Sequence, residues 1–457
     1  MTSSHPLWWE DVPAHITRPR ISGDLDADVA VVGAGFTGLW TARELLRRDP
    51  HLRVVILEAE HVGYGASGRN GGWASALFPV SLDVVSRDYS PDHALAFTRF
   101  LHRAVAELGA ALDEDLIDAD FVQGGTLTVA RHEIQAERLR AEERDAHERG
   151  LSEDDLRWLP VDELESRVRL RGARGALYSP HCARLHPGKL VHGLARRVEE
   201  LGAHIYEGSR VTRLLGATPN RRAQVLTTTG RVRADIVVRA TEGYTPALGP
   251  RRTVVPIYSL MIATEPLDES WWSQRGFNQA ETFADARHLI IYGQRTADNR
   301  LAFGGRGAPY HFGSGVDPRF DYHSNVFASL RETLVDLVGD LGVGVSHQWG
   351  GPLAMPRDHY PRAVVHREQG IVDLGGYTGD GVTMSFVMGR LAAQLLLERR
   401  LPDDPEISIL TRSPRHWEFE PLRYLGITAG LWLADRADHT EARGHVSRAA
   451  KWLEKLW

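Results

Sequence analysis

The sequence predicts a mixed α/β protein: a Rossmann-like first domain is interrupted by a mainly antiparallel β domain and followed by a helical appendage. Three observations carry this expectation. The apolar run Val29 to Val32 leads into Gly33-Ala34-Gly35-Phe36-Thr37-Gly38, then a helical pattern through Leu39, Ala42, Leu45 and Leu46, then Val54 to Leu57. Two later stretches, about 185–248 and 371–398, again combine apolar strands with helices. The stretch 256–349 between them alternates apolar and polar residues in short strand-like runs.

The first stretch reads as strand, tight turn, helix, strand. Gly33 makes the turn, Gly35 lets the backbone approach a pyrophosphate, and Gly38 lets helix and strand pack closely. Phe36 and Thr37 open the helix, where unpaired N–H groups and the helix dipole favour an anion. The second strand ends at Glu58 and Ala59, and Glu58 can accept hydrogen bonds from ribose hydroxyls. The whole unit therefore predicts a dinucleotide site.

Further along, 63–73 packs Gly65, Ala66, Ser67, Gly68, Arg69, Asn70, Gly71 and Gly72 before Trp73. A chain so rich in glycine can wrap a planar ring system and phosphates through its backbone, and Arg69 can donate to a phosphate in bidentate fashion. Residues 91–118 read as an amphipathic helix, 121–130 as a strand, and 136–154 as a solvated helix and connector. In 185–248 a helix precedes the strand His204 to Glu207, then Val211-Thr212, and a hairpin turns at Thr229-Gly230. The insert 256–349 holds strands around Ile257 to Ala263, Leu289 to Tyr292 and Leu301 to Phe303. Near the end, Gly376 to Val382 forms a second glycine-rich turn opening the helix that begins at Thr383. There N–H groups and positive dipole can face the N1–C2=O edge of a flavin. The resulting division assigns 1–80, 160–255 and 350–400 to a discontinuous nucleotide-binding domain. It assigns 81–159 and 256–349 to a substrate domain and 401–457 to a helical segment. A nucleotide domain interrupted in this way suits a large flavin better than a nicotinamide.

Bulk properties exclude several classes. The net charge of −6 over 457 residues gives no basis for holding nucleic acid by phosphate neutralisation. The only lysines are Lys189, Lys451 and Lys455, and Cys182 is the only cysteine, so neither an intrachain disulfide nor a thiolate metal cluster is expected. His288 and His359 have no metal-ligand spacing, and no metal is expected. The first twenty residues lack a signal pattern and no apolar run approaches ~18–20 residues, which predicts a cytoplasmic protein without a membrane span.

Together these motifs resemble the D-amino-acid oxidase/glycine oxidase/sarcosine oxidase superfamily of FAD enzymes, and most the gamma-glutamylputrescine oxidase branch. The resemblance covers nearly the whole chain. It rests on Trp8-Trp9, on Gly65 to Gly72, on Leu185-His-Pro-Gly-Lys-Leu190 and on Ala263-Thr-Glu-Pro-Leu267. Trp349-Gly-Gly351, Gly376 to Gly381 and Pro421 to Gly426 complete it. It implies that Val211 meets the adenine side and that Ala240, Thr241 and Gly243 line the dinucleotide. Gly379, Asp380, Gly381, Val382 and Thr383 would cup the flavin. The chemistry implied is oxidation of an amine C–N bond by hydride transfer to flavin N5, giving an imine and then an aldehyde, with oxygen or another acceptor regenerating the flavin.

The departures are informative. Relatives acting on small amino acids carry a lysine soon after the late glycine turn, where this chain has Val382 and Thr383. Cys182 lies too early to match the cysteine that attaches FAD in some relatives, so FAD is expected to be non-covalent. No lysine in 256–349 stands over the flavin, which leaves Arg295 or Arg306 as substitutes, and Asp380 replaces a histidine common in that turn. Tyr258, Tyr292 and Trp349 complete the catalytic candidates as aromatic walls for a cationic or alkyl amine. The alternatives are an oxidase of a small secondary or D-amino acid, a flavin monooxygenase or NAD(P)H-driven enzyme, and a flavin-dependent RNA-modification protein. No second nicotinamide fingerprint supports the monooxygenase, and the acidic balance counts against RNA.

Overall fold

In the computed structural model, which describes residues 2–12, 17–305, 307–398 and 405–456, strand Gly23–Val32 runs parallel between Val54–Leu57 and Gly230–Arg239. His204–Tyr206 extends the sheet beyond Val54–Leu57 and Ile371–Gly375 beyond Gly230–Arg239, both again parallel. Arg362–His366 closes one edge antiparallel. Strands buried on both faces need no polar side, which is why Val29 to Val32 and Val54 to Leu57 are unbroken apolar runs.

One face is covered by helices Phe36–Arg48, Pro187–Glu200 and Gly381–Leu397, with Pro91–Glu114 packed outside them. The opposite face is covered by the antiparallel strands Val211–Leu215 and Ala223–Thr227, which fold back from Gly230–Arg239 and bury Val211, Ala223 and Val225 against Ala30, Val32 and Val55.

The second sheet has eight strands in the order Val345–Pro356, Val254–Thr264, Leu301–Gly305, Ile291–Arg295, Thr282–Asp285, Thr126–Ala130, Gly175–Ser179 and Arg157–Leu159. Thr282–Asp285 and Thr126–Ala130 pair parallel, and the other neighbours pair antiparallel. Helix Ser324–Val338 covers one face over Leu260, Ile262, Phe283 and Phe303. The other face presents Met261, Ala263, Ala302 and Trp349 to Leu7 and Trp8 of the N-terminal segment. The C-terminal helices Leu422–Glu441 and Arg448–Leu456 pack on each other through Ala434, Ala437, Ala449 and Leu453. Trp417 and Ile427 fix this unit to Val255, Ile257 and Met355 of the second sheet. No described helix is long and apolar enough to cross a membrane.

Three segments depart from the expected division. Helix Pro91–Glu114, assigned with 81–159 to the substrate domain, shares its core with helices Phe36–Arg48 and Gly381–Leu397. Strand Gly175–Ser179 and the 350–356 part of strand Val345–Pro356, assigned through 160–255 and 350–400 to the nucleotide domain, belong to the second sheet. An amphipathic pattern states that a face is buried, not which core buries it. The expected boundary between 349 and 350 falls inside strand Val345–Pro356, which passes straight through it.

Helices Phe36–Arg48 and Gly381–Leu397 meet where a Cβ on Gly389 would stand 2.7 Å from Trp40 C and 2.9 Å from Thr41 N. Backbone cannot yield there as a side-chain tip would. Overpacking costs ~1–3 kcal/mol, against up to ~1 kcal/mol gained from helix propensity. Gly389→Ala should therefore lower stability by about 1–2 kcal/mol, read as a lower urea midpoint at unchanged slope. An unchanged or higher midpoint would refute the close approach.

Candidate cofactor and active site

A cavity of about 450 Å³ opens where strands Gly23–Val32, Val54–Leu57 and Gly230–Arg239 end. In the first turn Gly33 has φ +105, and a Cβ there would lie 2.5 Å from Ala240 O. A Cβ on Gly38 would lie 2.0 Å from Gly33 O, so helix and turn touch backbone to backbone. Phe36 N–H donates to Ser67 Oγ (2.8 Å), while the N–H groups of Thr37 and Gly38 have no carbonyl one turn back. Gly33, Gly35, Phe36 and Thr37 line the cavity, and Gly38 supports them from behind.

Glu58 and Ala59 form the next stretch of wall. The Glu58 carboxylate accepts from Ala34 N–H (2.9 Å) and Glu60 N–H (3.0 Å), and burial pushes its pKa up despite these bonds. Val211, Ala240, Thr241 and Gly243 complete this end, with Arg210 paired to Glu60.

The glycine loop contributes Gly65, Ala66, Ser67 and Asn70 to the lining. It is braced from outside the cavity. Trp8 Nε1–H donates to Asn70 O and Trp349 Nε1–H to Arg69 O, both at 2.8 Å. Asn70 donates to Ala66 O (3.1 Å) and Ser67 O (2.8 Å) and accepts from Gly72 N–H (2.9 Å). Gly68 is packed on Trp9, Gly71 on Tyr292, and Gly72 on Gln294 and Leu185 O, so these three shape the loop without lining the cavity. Arg69 also stays outside. Its guanidinium lies 4.5 Å from the centre of the Tyr64 ring and donates to Asp321 (2.5 Å) and Gly350 O (3.0 Å).

The late turn lines the cavity with Tyr377, Gly379, Gly381 and Val382. The Tyr377 hydroxyl shares a hydrogen bond with Thr37 Oγ1 (2.8 Å). Within the turn, Thr378 N–H donates to Ala354 O (3.1 Å) and Asp380 N–H to Tyr377 O (3.0 Å). No acceptor is found for Gly379 N–H among the described residues, and Thr383 Oγ1 is buried without a partner among them. Thr383 and Asp380 lie outside the lining, and the Asp380 charge is felt instead by the buried Cys182 thiol. Glycines where a Cβ would collide, unpaired N–H groups at two helix starts and an acid at a strand end together fit a dinucleotide carrying a flavin.

The catalytic candidates fare differently. Tyr292 faces the glycine loop, its edge against Trp73 and its hydroxyl on Ser259 Oγ (2.9 Å). Side chains alternate along a strand, so Tyr258 shares a face with Leu260 and Ile262 in the opposite core. There its hydroxyl accepts from Asp317 N–H (3.3 Å). Arg295 is likewise on the far side. It shares the face of Gly293, which touches Phe283 and Phe303, and is held by Asn299 and Glu269 over Trp272. Trp349 supports the loop rather than walling a pocket. Arg306 lies outside the described residues.

Sequence reasoning passed over Glu242, Tyr244, Pro352, Leu353 and Ser385, all of which line the cavity. For Glu242 a signal existed: it follows the end of a parallel strand, as Glu58 does, and ligands gather at such ends. Away from the cavity, His102, Asp155 and His181 bring ligand atoms within 4.8 Å of one another. The two imidazoles stack 3.6 Å apart at 10°, so their in-plane lone pairs run parallel rather than converging on one ion.

The model of the DAO family, described as FAD dependent oxidoreductase, matches residues 28–395. Gamma-glutamylputrescine oxidoreductase of Escherichia coli is 32% identical over 385 residues, 82% of this chain and 85% of that protein. Probable oxidoreductase OrdL of Rhizobium meliloti is 30% identical over 396 residues, 85% of this chain and 88% of that protein. Among solved structures, glycine oxidase from Geobacillus kaustophilus superposes with a TM-score of 0.71 at 25% identity, covering 86% of this chain and all (100%) of that one.

Glu58→Gln tests the ribose contact. The amide keeps the shape, loses charge-assisted acceptance worth ~1.5–3 kcal/mol, and sets an NH₂ group against one of two backbone donors. FAD affinity should fall at least about tenfold, at ~1.4 kcal/mol per decade. An unchanged dissociation constant would mean that Glu58 does not hold the ribose.

Proposed function

The chain belongs to the DAO family of FAD-dependent oxidoreductases, and from that premise we propose that it oxidises the C–N bond of an extended amine with FAD held non-covalently. A polyamine or its gamma-glutamyl conjugate is the substrate class intended. FAD held by Gly33, Gly35, Phe36, Thr37, Glu58 and the late turn would supply a hydride acceptor for the carbon beside the amine nitrogen, with hydrolysis of the imine giving an aldehyde and oxygen or another compound as final acceptor.

One observation carries the substrate reading. Among the described residues that line the cavity, Arg210 is the only basic one; it is paired to Glu60, beside Glu58 at the ribose end. At the glycine-loop end Arg69 is committed to Asp321, and Val382 and Thr383 follow the late turn without a lysine. An α-carboxylate would find no lysine after the late turn, and the missing charged hydrogen bond would cost ~1.5–3 kcal/mol. An amine needs no such anchor. Tyr64 and Tyr244 border the cavity and Tyr292 lies under Gly71, giving aromatic surface for an alkyl or cationic chain. Binding energy from remote parts of such a substrate can orient the reacting C–H bond. The E. coli relative, by its name, acts on an amine of this kind.

The non-covalent reading rests on Cys182, the single cysteine. It is buried outside the cavity lining, its Sγ is 3.4 Å from Thr282 Oγ1, and burial pushes its thiol up to about 12. Thiolate attack on a flavin is thereby suppressed. A reducing cytoplasm is the setting this reading assumes.

Two measurements test these statements. Acid or heat precipitation should leave a yellow supernatant and a colourless pellet, whereas colour retained in the pellet would overturn non-covalent binding. In anaerobic stopped-flow reduction at matched concentrations, extended amines should exceed sarcosine, glycine and D-alanine by about tenfold or more in kcat/KM, equivalent to ~1.4 kcal/mol or more. A small amino acid as best reductant would overturn the polyamine reading.

A further inference from the structure

We propose that Glu242 binds the ribityl chain of FAD, its carboxylate accepting a hydrogen bond from a hydroxyl of that chain. The proposal rests on FAD occupying this cavity and not on which amine is oxidised.

The order of strands in the first sheet carries the assignment. Val54–Leu57, Gly23–Val32, Gly230–Arg239 and Ile371–Gly375 lie side by side in that order and run parallel. Neighbouring strands are ~4.8 Å apart, so the residues that follow them are set out along the cavity in the same order. Glu58 comes first, then Gly33, Gly35, Phe36 and Thr37, then Ala240 to Glu242, then the late turn. FAD is itself a chain of fixed order: adenosine ribose, pyrophosphate, ribityl, ring. With the ribose at Glu58, the pyrophosphate at the start of helix Phe36–Arg48 and the ring edge at the late turn, the ribityl chain falls to the third position. The charged side chain there is Glu242, while Thr241 Oγ1 is engaged with Thr245 Oγ1 (2.9 Å).

The carboxylate is built to accept one more hydrogen bond. Its Oε2 accepts from Gly376 N–H (2.9 Å), and its Oε1 from Tyr377 N–H (3.3 Å) and Ala354 N–H (3.3 Å). Room for Oε2 comes from Gly375, where a Cβ would stand 2.5 Å from it. Glu242 reaches this position at φ +42, a left-handed conformation that residues with a side chain rarely adopt. Its three backbone donors favour the ionised form, and no cation among the described residues pairs with it. A carboxylate offers about four acceptor positions; the one left on Oε2 has no donor among the described residues. An ionised carboxylate can only accept. A pyrophosphate has no hydrogen to give it, whereas a ribityl hydroxyl has. Glu58 repeats the arrangement: it follows a parallel strand, accepts from the N–H groups of Ala34 and Glu60, and keeps lone pairs for a sugar hydroxyl. The two acids stand on either side of the anion site, each where a hydroxylated part of the cofactor leaves it.

The test is a double-mutant cycle between protein and cofactor. Apoprotein prepared from full-length holoenzyme is titrated with FAD and with analogues that each lack one ribityl hydroxyl, and binding is followed by flavin fluorescence. The buffer is alkaline, above the value of about 7 to which burial raises this carboxyl. Wild-type protein should bind one of the analogues at least about tenfold more weakly than FAD, the loss of a hydrogen bond to a charged group. Glu242→Ala should bind FAD itself at least about tenfold more weakly, and removing that hydroxyl should then cost it no more than about twofold. Glu242→Gln, which keeps the length of the side chain, is a second variant should the first not fold, with the same loss of sensitivity expected. Glu58→Gln should weaken FAD but keep the full ribityl penalty. A residue that only ties the late turn in place would lower FAD affinity and leave the hydroxyl penalty as in wild type, and that result would overturn the proposal. So would wild-type protein that binds every analogue as tightly as FAD, a measurement that needs no variant. Protein that takes up no flavin at all would overturn the cofactor assignment, and this proposal with it.

Discussion

The parallel register of strand Gly23–Val32 with its two neighbours is the constraint from which the cavity follows. Gly230–Arg239 matches it from Gly23↔Gly230 to Val32↔Arg239, and Val54–Leu57 matches its last four residues from Val29↔Val54 to Val32↔Leu57. Because all three point the same way, Val32, Leu57 and Arg239 end in one line. The residues that follow them, Gly33, Glu58 and Ala240 to Glu242, become one continuous wall although up to about two hundred positions separate them. Ala30 and Val32 share one core with Val55 and Val237, while Val29 and Val31 share the opposite one with Val54 and Ile56.

That logic separates what could be read in the sequence from what could not. The first strand–turn–helix–strand unit was legible because each residue type has a local cause: Gly33 sits at φ +105, Gly38 touches Gly33 O, and Glu58 ends a strand. The alternation in 256–349 revealed strands but not which face each side chain would take. Tyr292 and Arg295 are three residues apart on one strand and therefore point oppositely, yet both looked like candidates until the strand had a core on one side and the glycine loop on the other. Helix Pro91–Glu114 and strand Val345–Pro356 were recognisable as elements, but their allegiance is set by contacts hundreds of residues away. Glu242 escaped notice because nothing in Ala240-Thr241-Glu242-Gly243 says that its carboxylate would reach the late turn at Gly376.

The glycine loop shows why aromatic residues at the start of the chain matter to a site built mostly of glycine. A segment with so few side chains has large conformational freedom, and its order must come from partners. Trp8 and Trp349 stand edge to face with centroids 6.1 Å apart, and each donates its indole N–H to a loop carbonyl, Asn70 O and Arg69 O. With these carbonyls engaged outside the cavity, what remains to face a ligand is small side chains and backbone. Arg69 contributes to the same result. Its guanidinium passes the second sheet's edge strand at Gly350 and Gly351, where no side chain obstructs it, and reaches Asp321 beyond.

The Arg69–Asp321 pair consequently connects the loop that wraps the cavity to the domain that faces it, and its energetics constrain its role. Both side chains are largely enclosed, at 12% and 21% exposure, so separating them would leave a charge without its partner in a low-dielectric setting. Breaking such a pair costs several times what its formation contributes, of order 3–5 kcal/mol for a buried example. A substrate carboxylate competing for Arg69 would have to meet that cost from its own binding, while a neutral or cationic amine would not disturb the pair at all. Among the described residues that line it, the cavity therefore presents a cation only at the ribose end, at Arg210, while Arg69 nearby is paired to Asp321. Attachment of the glycine loop to the second sheet thus follows from this ion pair.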